Sequence, residues 1–347
     1  MSGSSQTDIL TLSFEELEDF LLANQEKRFR AKQVYQWLWK KGCRSFGEMT
    51  NLSASLRATL ANSFTFRAMT ENHLQTSRDG TVKIGFRLHD ELIIESVLIP
   101  AENRITGCVS TQAGCALGCT FCATGTIGFY RNLSAAEIFD QVWLLNEKAL
   151  QLHQIPLSNI VLMGMGEPLF NYPNLKRAID LITDPDGMGI SPQRFTISSI
   201  GIPKIIRQLA DDQVKTHFAF SLHATNDLKR NSIIPFNKQY PISDLVASLK
   251  YYHNKTGKRF TIEYLLLKDF NDTLDDAREL ADLCRNFPVK INLIEFNPVD
   301  GFDFQRSEMK RMKEFKDFLE SRNLIVNIRK SRGKDIDAAC GQLAGRT

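Results

Sequence analysis

Three cysteines within eight residues carry the strongest chemical signal in this sequence. Cys115, Cys119 and Cys122 form a C-x3-C-x2-C pattern. Four cysteine thiolates would close an iron-sulfur cube, whereas three leave one corner iron free to bind a further molecule. The count and spacing therefore predict a 4Fe-4S cluster with one open coordination position.

The same pattern, with an aromatic residue before its last cysteine, is the form that binds and reductively cleaves S-adenosylmethionine (SAM); Phe121 is that residue here. We therefore expect radical chemistry performed by the bound cofactors. The alternative is a structural zinc site with Cys108 as the fourth ligand. Zinc sites usually combine two separated pairs of ligands, so the compact spacing favours the cluster.

Length and composition indicate a cytoplasmic enzyme. The 347 residues are 43% hydrophobic and 24% charged, enough for one large domain and a small accessory domain. No apolar run approaches the roughly 20 residues of a membrane helix, and the first residues lack a signal-peptide pattern. Seven cysteines, an odd number, argue against a secreted disulfide scaffold. We expect no membrane association.

Residues 27–44 are basic and aromatic and contain no acidic residue. Basic side chains beside aromatic rings can contact phosphates and stack on bases. The alternative is a helix with a buried aromatic stripe and a solvated basic face, because Tyr35 and Trp39 are four positions apart. The sequence leaves both interpretations open, since the net charge is only +3. The basic residues are Lys27, Arg28, Arg30, Lys32, Lys40, Lys41 and Arg44.

The elements that must position the cysteines follow a simple order. Short helices are predicted between residues 12 and 63, then paired strands at 82–88 and 92–99. Strand-like segments next alternate with helix-like segments, which predicts a parallel sheet covered by helices and a partial barrel. Ligands of such sheets lie at the carboxyl ends of the strands. The six strand-like segments lie near 104–111, 158–163, 194–199, 215–222, 259–267 and 289–295.

Two helix starts are visible as capping-box patterns, Ser134 with Glu137 and Thr273 with Asp276. The first is followed by an apolar stripe at helical spacing. Cys284 falls in the apolar stripe of the second helix, as a buried structural thiol would. The residues of the first stripe are Ile138, Val142, Leu145, Ala149 and Leu152.

A glycine-rich motif and several polar strand ends are candidates for holding SAM. The run from Met163 to Pro168 follows a short apolar strand, and its glycines allow a ligand to approach the backbone closely. Glu167 could accept from the amino group of SAM. For each candidate taken alone, an ordinary turn or cap is the better explanation. The predicted SAM-binding residues are Gly166, Glu167, Ser198, Ser221, Leu222, His223 and Asn297.

Cys340 lies near the end of the chain, in a segment without helical periodicity in which glycines follow the thiol. This sequence context predicts that the Cys340 thiol is accessible and reactive. Cys43 has no assigned role. The basic side chains of Arg329, Lys330, Arg332 and Lys334 either hold phosphates near the site or form a solvated edge.

In their order along the chain, these motifs resemble the radical SAM dual-specificity RNA methyltransferases, which modify an adenine of 23S ribosomal RNA. The resemblance covers nearly the whole chain. It rests on residues 29–37, 95–100, 108–122, 164–168, 221–223, 291–297 and 332–342.

The resemblance implies an α/β fold: a partial (β/α)6 radical SAM barrel with an N-terminal helical accessory domain and a β-hairpin extension. The expected division is a helical RNA-binding accessory domain at 1–75, the hairpin extension at 76–103, the barrel at 104–330 and a C-terminal catalytic loop at 331–347.

The resemblance also implies a mechanism, because adenine C2 is a poor nucleophile and a carbon radical can add to it. One SAM would methylate Cys340, and a second would generate the radical that activates the methyl group. The methylene carbon would then join RNA and enzyme covalently. Glu95 would remove the C2 proton as general base, and Cys108 would attack the Cys340 sulfur, leaving a disulfide between the two cysteines.

The implied partners are 23S rRNA, certain tRNAs modified at the adenine on the 3′ side of the anticodon, and an electron-donor protein such as flavodoxin or ferredoxin. A carboxylate at position 95 suits the branch that methylates C2 rather than the resistance branch that methylates C8. Two alternatives remain: a non-catalytic, zinc-stabilised RNA-binding protein, and a radical enzyme acting on a small molecule.

Overall fold

The computed structural model describes residues 6–345. Its N-terminal part is helical, as predicted for residues 12–63. The first helix starts at a capping box made by Ser13 and Glu16, and the third starts at Ser53, whose side chain accepts from the Leu56 amide. The elements of this leader are β1 (Thr7–Asp8), α1 (Phe14–Ala23), α2 (Phe29–Trp39), α3 (Ala54–Ser63) and β2 (Phe64–Thr65).

The leader packs directly on the rest of the molecule. Trp39 is 2% exposed, and its ring meets Phe139 edge-on at a centroid distance of 4.9 Å. Truncation of a buried tryptophan typically costs about 3–5 kcal/mol. Tyr35 donates to Asp184 over 3.0 Å from the polar edge of the same helix. The aromatic stripe of α2 is therefore a packing surface. This agrees with the interpretation of residues 27–44 as a helix with a buried aromatic stripe.

Within residues 6–345, ten strands form one mixed sheet in the order β14-β13-β12-β11-β10-β9-β6-β5-β4-β3. A separate pair, β7 (Gln112–Gly114) and β8 (Phe129–Asn132), flanks the cysteine segment. The ten are β3 (Thr70–Thr76), β4 (Val82–Arg87), β5 (Ile93–Ala101), β6 (Arg104–Cys108), β9 (Asn159–Leu162), β10 (Phe195–Ser199), β11 (His217–Ser221), β12 (Phe260–Leu266), β13 (Val289–Glu295) and β14 (Ile325–Arg329).

The sheet has an antiparallel part and a parallel part. The antiparallel part runs from β3 to β6, and the predicted pairing of 82–88 with 92–99 is confirmed by the register of β4 on β5. In the described part of the chain seven strands, β6 and β9 to β14, pair in parallel. The count of six strand-like segments was one too low. The strand left out of that count, Ile325–Arg329, lies at the edge of the sheet, and only Val326 of its five residues is buried.

Helices connect the parallel strands. Both predicted capping boxes are present, at Ser134 with Glu137 and at Thr273 with Asp276. Cys284 is buried in its helix, as predicted, but Leu152 is 49% exposed because it lies in the last turn of α5, beyond the packed stripe. The helices are α4 (Ala123–Thr126), α5 (Ala135–His153), α6 (Tyr172–Thr183), α7 (Pro203–Asp211), α8 (Asp227–Ile233), α9 (Ile242–Thr256), α10 (Leu274–Cys284) and α11 (Met309–Ser321).

Short 3-10 turns complete the chain. They lie at Ile9–Thr11, Phe46–Glu48, Pro168–Asn171, Pro192–Arg194, Pro235–Lys238 and Lys334–Ile336. Across residues 6–345, none of the helices combines the length and the apolar character needed to cross a bilayer.

Candidate active site

The three cysteines of the C-x3-C-x2-C motif lie in the segment between β7 and α4 and line one cavity at the carboxyl end of the parallel strands. Cys115 and Cys119 are buried and Cys122 is half-buried. Burial raises the pKa of Cys115 to about 12 and raises that of Cys119 well above its ordinary value, and the neighbouring thiols add to both shifts. Thiols in such surroundings ionise when a metal binds them.

A buried arginine, Arg230, lies near this segment, and the sequence motifs did not predict it. Arg230 is fully buried and donates to the backbone carbonyls of Ile200 over 2.6 Å and Leu222 over 2.9 Å. Burial lowers the pKa of this guanidinium to about 10, against the opposing influence of Cys119. Its positive charge is placed to stabilise thiolates in the cysteine segment.

The glycine motif forms the opposite wall. Gly166 has φ +94°, and a Cβ atom there would lie 2.4 Å from the Gln112 side chain, so only glycine fits. Gln112 in turn accepts from the Glu167 amide over 2.8 Å. The two carboxylate oxygens of Glu167 accept from the amides of Leu169 and Ile200. Burial raises the pKa of Glu167 to about 7 despite these hydrogen bonds.

The structure brings the predicted strand-end residues together with one exception. The hydroxyls of Ser198 and Ser221, from neighbouring strands, lie 3.2 Å apart in the cavity wall. His223 also lines the cavity and meets Phe121 edge-on at 5.0 Å. Leu222 does not line the cavity, because its side chain points into the core and is fully buried.

His223 is held neutral with a defined tautomer. It adopts φ +59°, in the left-handed region. Its Nδ1 accepts from the Leu265 amide over 3.0 Å, which leaves Nε2 as the protonated donor. Burial lowers the pKa of His223 to about 3, and the charge of Arg230 adds to this shift. The ring therefore offers a neutral N–H group at the cavity.

The C-terminal segment closes the cavity over the cysteines. The Ala123 amide donates to the Gly341 carbonyl over 2.6 Å, and the Thr124 hydroxyl donates to the Leu343 carbonyl over 2.6 Å. Asn297 Nδ2 donates to the Cys340 carbonyl over 3.2 Å. The Cys340 side chain lines the same cavity and is exposed, as the sequence predicted for a reactive thiol.

Cys108 and Cys340 share the wall of an adjoining cavity, together with Arg329. Cys108 ends β6 and is 6% exposed. Burial raises the pKa of Cys108 to about 12; a charge on Cys340 adds to the shift, and the Arg329 guanidinium opposes it. Arg329 therefore lies near both thiols rather than at a solvated edge.

Glu95 lies in a third cavity beside the same C-terminal segment. Its side chain is 1% exposed. One carboxylate oxygen accepts from the amides of Ala344 over 2.7 Å and Gly345 over 3.0 Å. The other lies 3.2 Å from Lys83 Nζ. The segment that carries Cys340 thus contacts Glu95 a few residues later.

The remaining basic residues near the site have diverse partners. Lys334 pairs with Glu295 over 2.7 Å, and Arg332 lies 3.9 Å from Asp79. The Lys330 side chain has no ion-pair or hydrogen-bond partner within residues 6–345.

Most basic residues of the leader are engaged within the molecule. Lys32 pairs with Asp186 over 2.8 Å and Lys40 donates to the Pro185 carbonyl over 3.2 Å, so α2 faces an acidic loop after α6. Arg44 pairs with the buried Asp140. In the described part of the chain, the Lys27 side chain has no such partner. The others have local partners. Arg28 pairs with Glu18, Arg30 donates to Gln33 and lies near Glu26, and the Lys41 ammonium lies over the ring of Trp37.

The residues present suit a cluster with bound SAM. Three thiols and a glycine cradle face one cavity, and Asn297 Oδ1 is buried there without a hydrogen-bond partner, as an acceptor awaiting a ligand would be. Among residues 6–345, no three His, Cys, Asp or Glu side chains are drawn together tightly enough to hold a single metal ion.

Comparison with known proteins defines the class first. Residues 109–284 match the model of the radical SAM superfamily, and residues 7–66 match that of the ribosomal RNA large subunit methyltransferase N-terminal domain. A radical SAM methyltransferase from Sphaerobacter thermophilus has a similar structure, with a TM-score of 0.93 and 39% identity, covering 98% of this chain and 100% of that one. The fold is thus the radical SAM fold, with mixed α/β content and a central sheet.

Similar sequences then define the family. A probable dual-specificity RNA methyltransferase RlmN from Cytophaga hutchinsonii is 50% identical over 97% of this chain and 92% of its own length. The dual-specificity RNA methyltransferase RlmN from Anaeromyxobacter dehalogenans is 43% identical, over 97% and 91%. The chain belongs to the RlmN family of dual-specificity RNA methyltransferases.

Proposed function

We propose that this protein methylates C2 of an adenine in 23S rRNA and of the adenine on the 3′ side of the anticodon in certain tRNAs. The observation that carries the proposal is the position of the Cys340 segment. Its backbone is bonded to Asn297 at the cluster cavity, while amides a few residues later hold Glu95. Cys108 lines a cavity with the same cysteine.

The cofactors would be a 4Fe-4S cluster on Cys115, Cys119 and Cys122 and SAM, which together supply one-electron cleavage of SAM to a hydrogen-abstracting radical. Gly166 and Glu167 would hold the amino group of SAM. Ser198, Ser221, His223 and Asn297 offer hydroxyl, imidazole and amide groups for its ribose and carboxylate. Leu222 would contribute only backbone, because its side chain is in the core.

Cys340 would carry the methyl group. Its exposed thiol, at the edge of the cavity, would accept a methyl group from one SAM. A second SAM would supply the hydrogen-abstracting radical, so each turnover would consume two SAM molecules. After hydrogen abstraction, the methylene carbon on Cys340 forms a bond to adenine C2 and joins enzyme and RNA covalently. The adduct is then a radical, and its unpaired electron would pass to the cluster before the C2 proton is removed. We expect the segment around Cys340 to be mobile, since the thiol must meet cofactor, substrate and resolving cysteine in turn.

Glu95 and Cys108 would complete the turnover. Glu95 removes the proton from C2 of the adduct as general base. The Cys108 thiolate then attacks the Cys340 sulfur, and the S–C bonding pair goes to the methylene carbon, which takes up a proton to complete the methyl group. This releases the methylated base and leaves a disulfide that a reductant must open. Arg329 lies beside both thiols and favours the ionised form of Cys108.

The domain division follows the proposed roles. The leader, residues 1–75, would help bind RNA, residues 76–103 extend the sheet, residues 104–330 form a partial barrel, and residues 331–347 act as the catalytic loop. An electron-donor protein such as flavodoxin or ferredoxin would reduce the cluster. Ribosomal and transfer RNA substrates place the reaction in the cytoplasm.

The decisive experiment is the mass of the Cys340 peptide from anaerobically reconstituted protein treated with SAM. An added methyl group supports Cys340 as carrier, and a covalent RNA adduct in the Glu95→Ala variant supports the assigned base. Zinc in place of iron, with an unmodified thiol, would support the non-catalytic alternative. Iron-replete protein with an unmodified thiol would exclude the carrier role.

A further inference from the structure

A glycine lies between a histidine and the proposed base in the antiparallel part of the sheet. The register pairs His73 of β3 with Gly85 of β4, and Gly85 with Glu95 of β5. The three residues form one row across three strands and share one face of the sheet. Because Gly85 has no side chain, the His73 ring lies over it. A Cβ atom at position 85 would be 2.0 Å from His73 Cε1.

This open position lets His73 face the carboxylate. Its Nε2 lies 3.8 Å from Glu95 Oε1, with the His73 side chain 21% exposed and that of Glu95 1% exposed. The separation is too long for a hydrogen bond. Hydrogen bonds of catalytic groups are often long in the unliganded enzyme and shorten in the reacting complex.

Lys83 approaches the same carboxylate oxygen more closely. It lies two residues before Gly85 on β4 and therefore on the same face of the sheet. Its Nζ is 3.2 Å from Glu95 Oε1, and its side chain is 9% exposed. Burial of a carboxylate without a partner is costly. The Lys83 ammonium is the ion-pair partner that this buried carboxylate requires.

A hydrogen-bonded chain fixes the tautomer of His73. Arg87 can only donate, and its Nη2 lies 2.6 Å from Asn72 Oδ1. The amide nitrogen of Asn72 must therefore donate to His73 Nδ1, over 3.2 Å. With Nδ1 as acceptor, the neutral ring carries its hydrogen on Nε2. The group that faces Glu95 is thus an N–H donor rather than a lone pair.

The opposite side of the carboxylate is bonded differently. Glu95 Oε2 accepts from the Ala344 and Gly345 amides of the C-terminal segment. If that segment moves to let a substrate reach Glu95, these two donors leave, whereas Lys83 and His73 remain because they belong to the sheet. The groups on the sheet are the ones that can hold the carboxylate during reaction.

We propose that Lys83 and His73 are positioning residues of the Glu95 base: Lys83 holds its carboxylate as an ion-pair partner, and His73, admitted by Gly85, orients it through Nε2–H. The proposal rests on the function proposed above, in which Glu95 removes the C2 proton from the Cys340–RNA adduct. That proton moves to the Glu95 carboxylate, while the C–H bonding pair stays with the adenine ring of the adduct. The other charged groups around this cavity are Asp300, Asp335 and Asp337.

The test follows the covalent adduct in the full chain, reconstituted with cluster and supplied with SAM, reductant and RNA. The Lys83→Met variant is expected to retain methylation of Cys340, which does not use Glu95. Resolution of its adduct should slow by about tenfold or more at neutral pH. Lys83→Arg keeps a cation beside Glu95 and should restore most of the wild-type rate of adduct resolution.

Two further variants test His73. His73→Gln should slow adduct resolution by about fivefold. Gly85→Ala keeps the histidine but displaces its ring, so it should have a similar effect, and the double variant should be no slower than either single one. Lys148→Met is the matched control, because it breaks the ion pair between Lys148 of α5 and Glu71 of β3, which does not involve Glu95.

The outcomes separate the two proposals. Absence of methyl on Cys340 in the wild type would overturn the proposed function and this inference with it. A methylated Lys83→Met protein that resolves its adduct at the wild-type rate would overturn the inference alone. Loss of Cys340 methylation in that variant would also overturn it, because the role of Lys83 would then be structural.

Discussion

Asn297 connects the cluster cavity to the proposed methyl carrier. Its Nδ2 donates to the carbonyl oxygen of Cys340 over 3.2 Å, while its Oδ1 is buried without a hydrogen-bond partner within residues 6–345. A buried polar atom without a partner is rare and calls for a ligand. The Asn297 side chain therefore holds the C-terminal segment through Nδ2, and its Oδ1 remains available to accept a hydrogen bond from a bound molecule.

Replacement of Asn297 by alanine should weaken SAM binding by about tenfold and slow methylation of Cys340, because both functions of the amide are lost. Equilibrium dialysis with labelled SAM and the mass of the Cys340 peptide measure the two effects. Asn286→Ala is the control, since that side chain is exposed and donates only to the Leu283 carbonyl. Unchanged affinity for SAM in Asn297→Ala would show that Asn297 does not bind SAM.

Arg329 should control the release of product. Burial raises the pKa of Cys108 to about 12, and the Arg329 charge opposes this shift. The thiolate is the attacking form, so Arg329→Met should leave Cys108 less often ionised. We expect the covalent adduct to accumulate and its resolution to slow by about tenfold at neutral pH.

Two variants check this interpretation of Arg329. Arg329→Lys keeps the charge and should retain most of the rate, whereas Arg322→Met, which removes an arginine over the Phe318 ring, should have no effect. Gel analysis of the RNA-linked protein over time gives the rates. Equal rates in Arg329→Met and Arg329→Lys would show that charge does not matter here.

Local patterns in the sequence predicted much of the site. The cysteine spacing, the glycine motif and two capping boxes are short-range signals, because each is set by residues within a few positions of one another. The exposure of Cys340 followed from the absence of helical periodicity around it. These features can be recognised in a single sequence, because they do not depend on contacts with distant segments.

Features that depend on distant partners were not predicted. Arg230 lies among backbone carbonyls whose approach is set by the packing of several strands. The row of His73, Gly85 and Glu95 exists only in one register of three strands. The basic residues of the leader were visible, but charge alone does not name a partner, and Lys32 turned out to face Asp186.

The ion pair of Arg44 with Asp140 should be important for stability. Asp140 is 5% exposed, and burial raises its pKa while the Arg44 guanidinium opposes that shift. Arg44→Met leaves a buried carboxylate unpaired, so the free energy of unfolding should fall by about 3 kcal/mol. The double variant Arg44→Met with Asp140→Leu should regain most of this loss.

Urea unfolding followed by tryptophan fluorescence measures the effect of the Arg44 variants. Arg285→Met is the control, because its ion pair with Asp282 has side chains 72% and 65% exposed. Exposed pairs contribute about 0–1 kcal/mol. A loss in Arg44→Met no larger than that in Arg285→Met would contradict the assignment of a buried pair.

The start of the C-terminal segment should be held by a carboxylate whose contribution to stability depends on pH. Burial alone would raise the pKa of Asp79, but hydrogen bonds from Thr81, Gly333 and Ser77 outweigh burial and lower the pKa to about 2. The Gly333 amide donates to Asp79 over 3.0 Å, which ties the β3–β4 turn to the segment that leads to Cys340.

A folded-state pKa below that of the unfolded chain gives stability that is present above about pH 4 and is lost as the pH falls towards about 2. In Asp79→Asn this pH-dependent part should be absent, and amide hydrogen exchange in residues 333–345 should be faster at neutral pH. Urea unfolding of wild type and variant between pH 5 and pH 2.5 measures the difference. The two stabilities should converge as the pH falls, because protonated aspartate and asparagine both lack the charge. A constant difference over the whole range would mean that the carboxylate charge does not hold this segment.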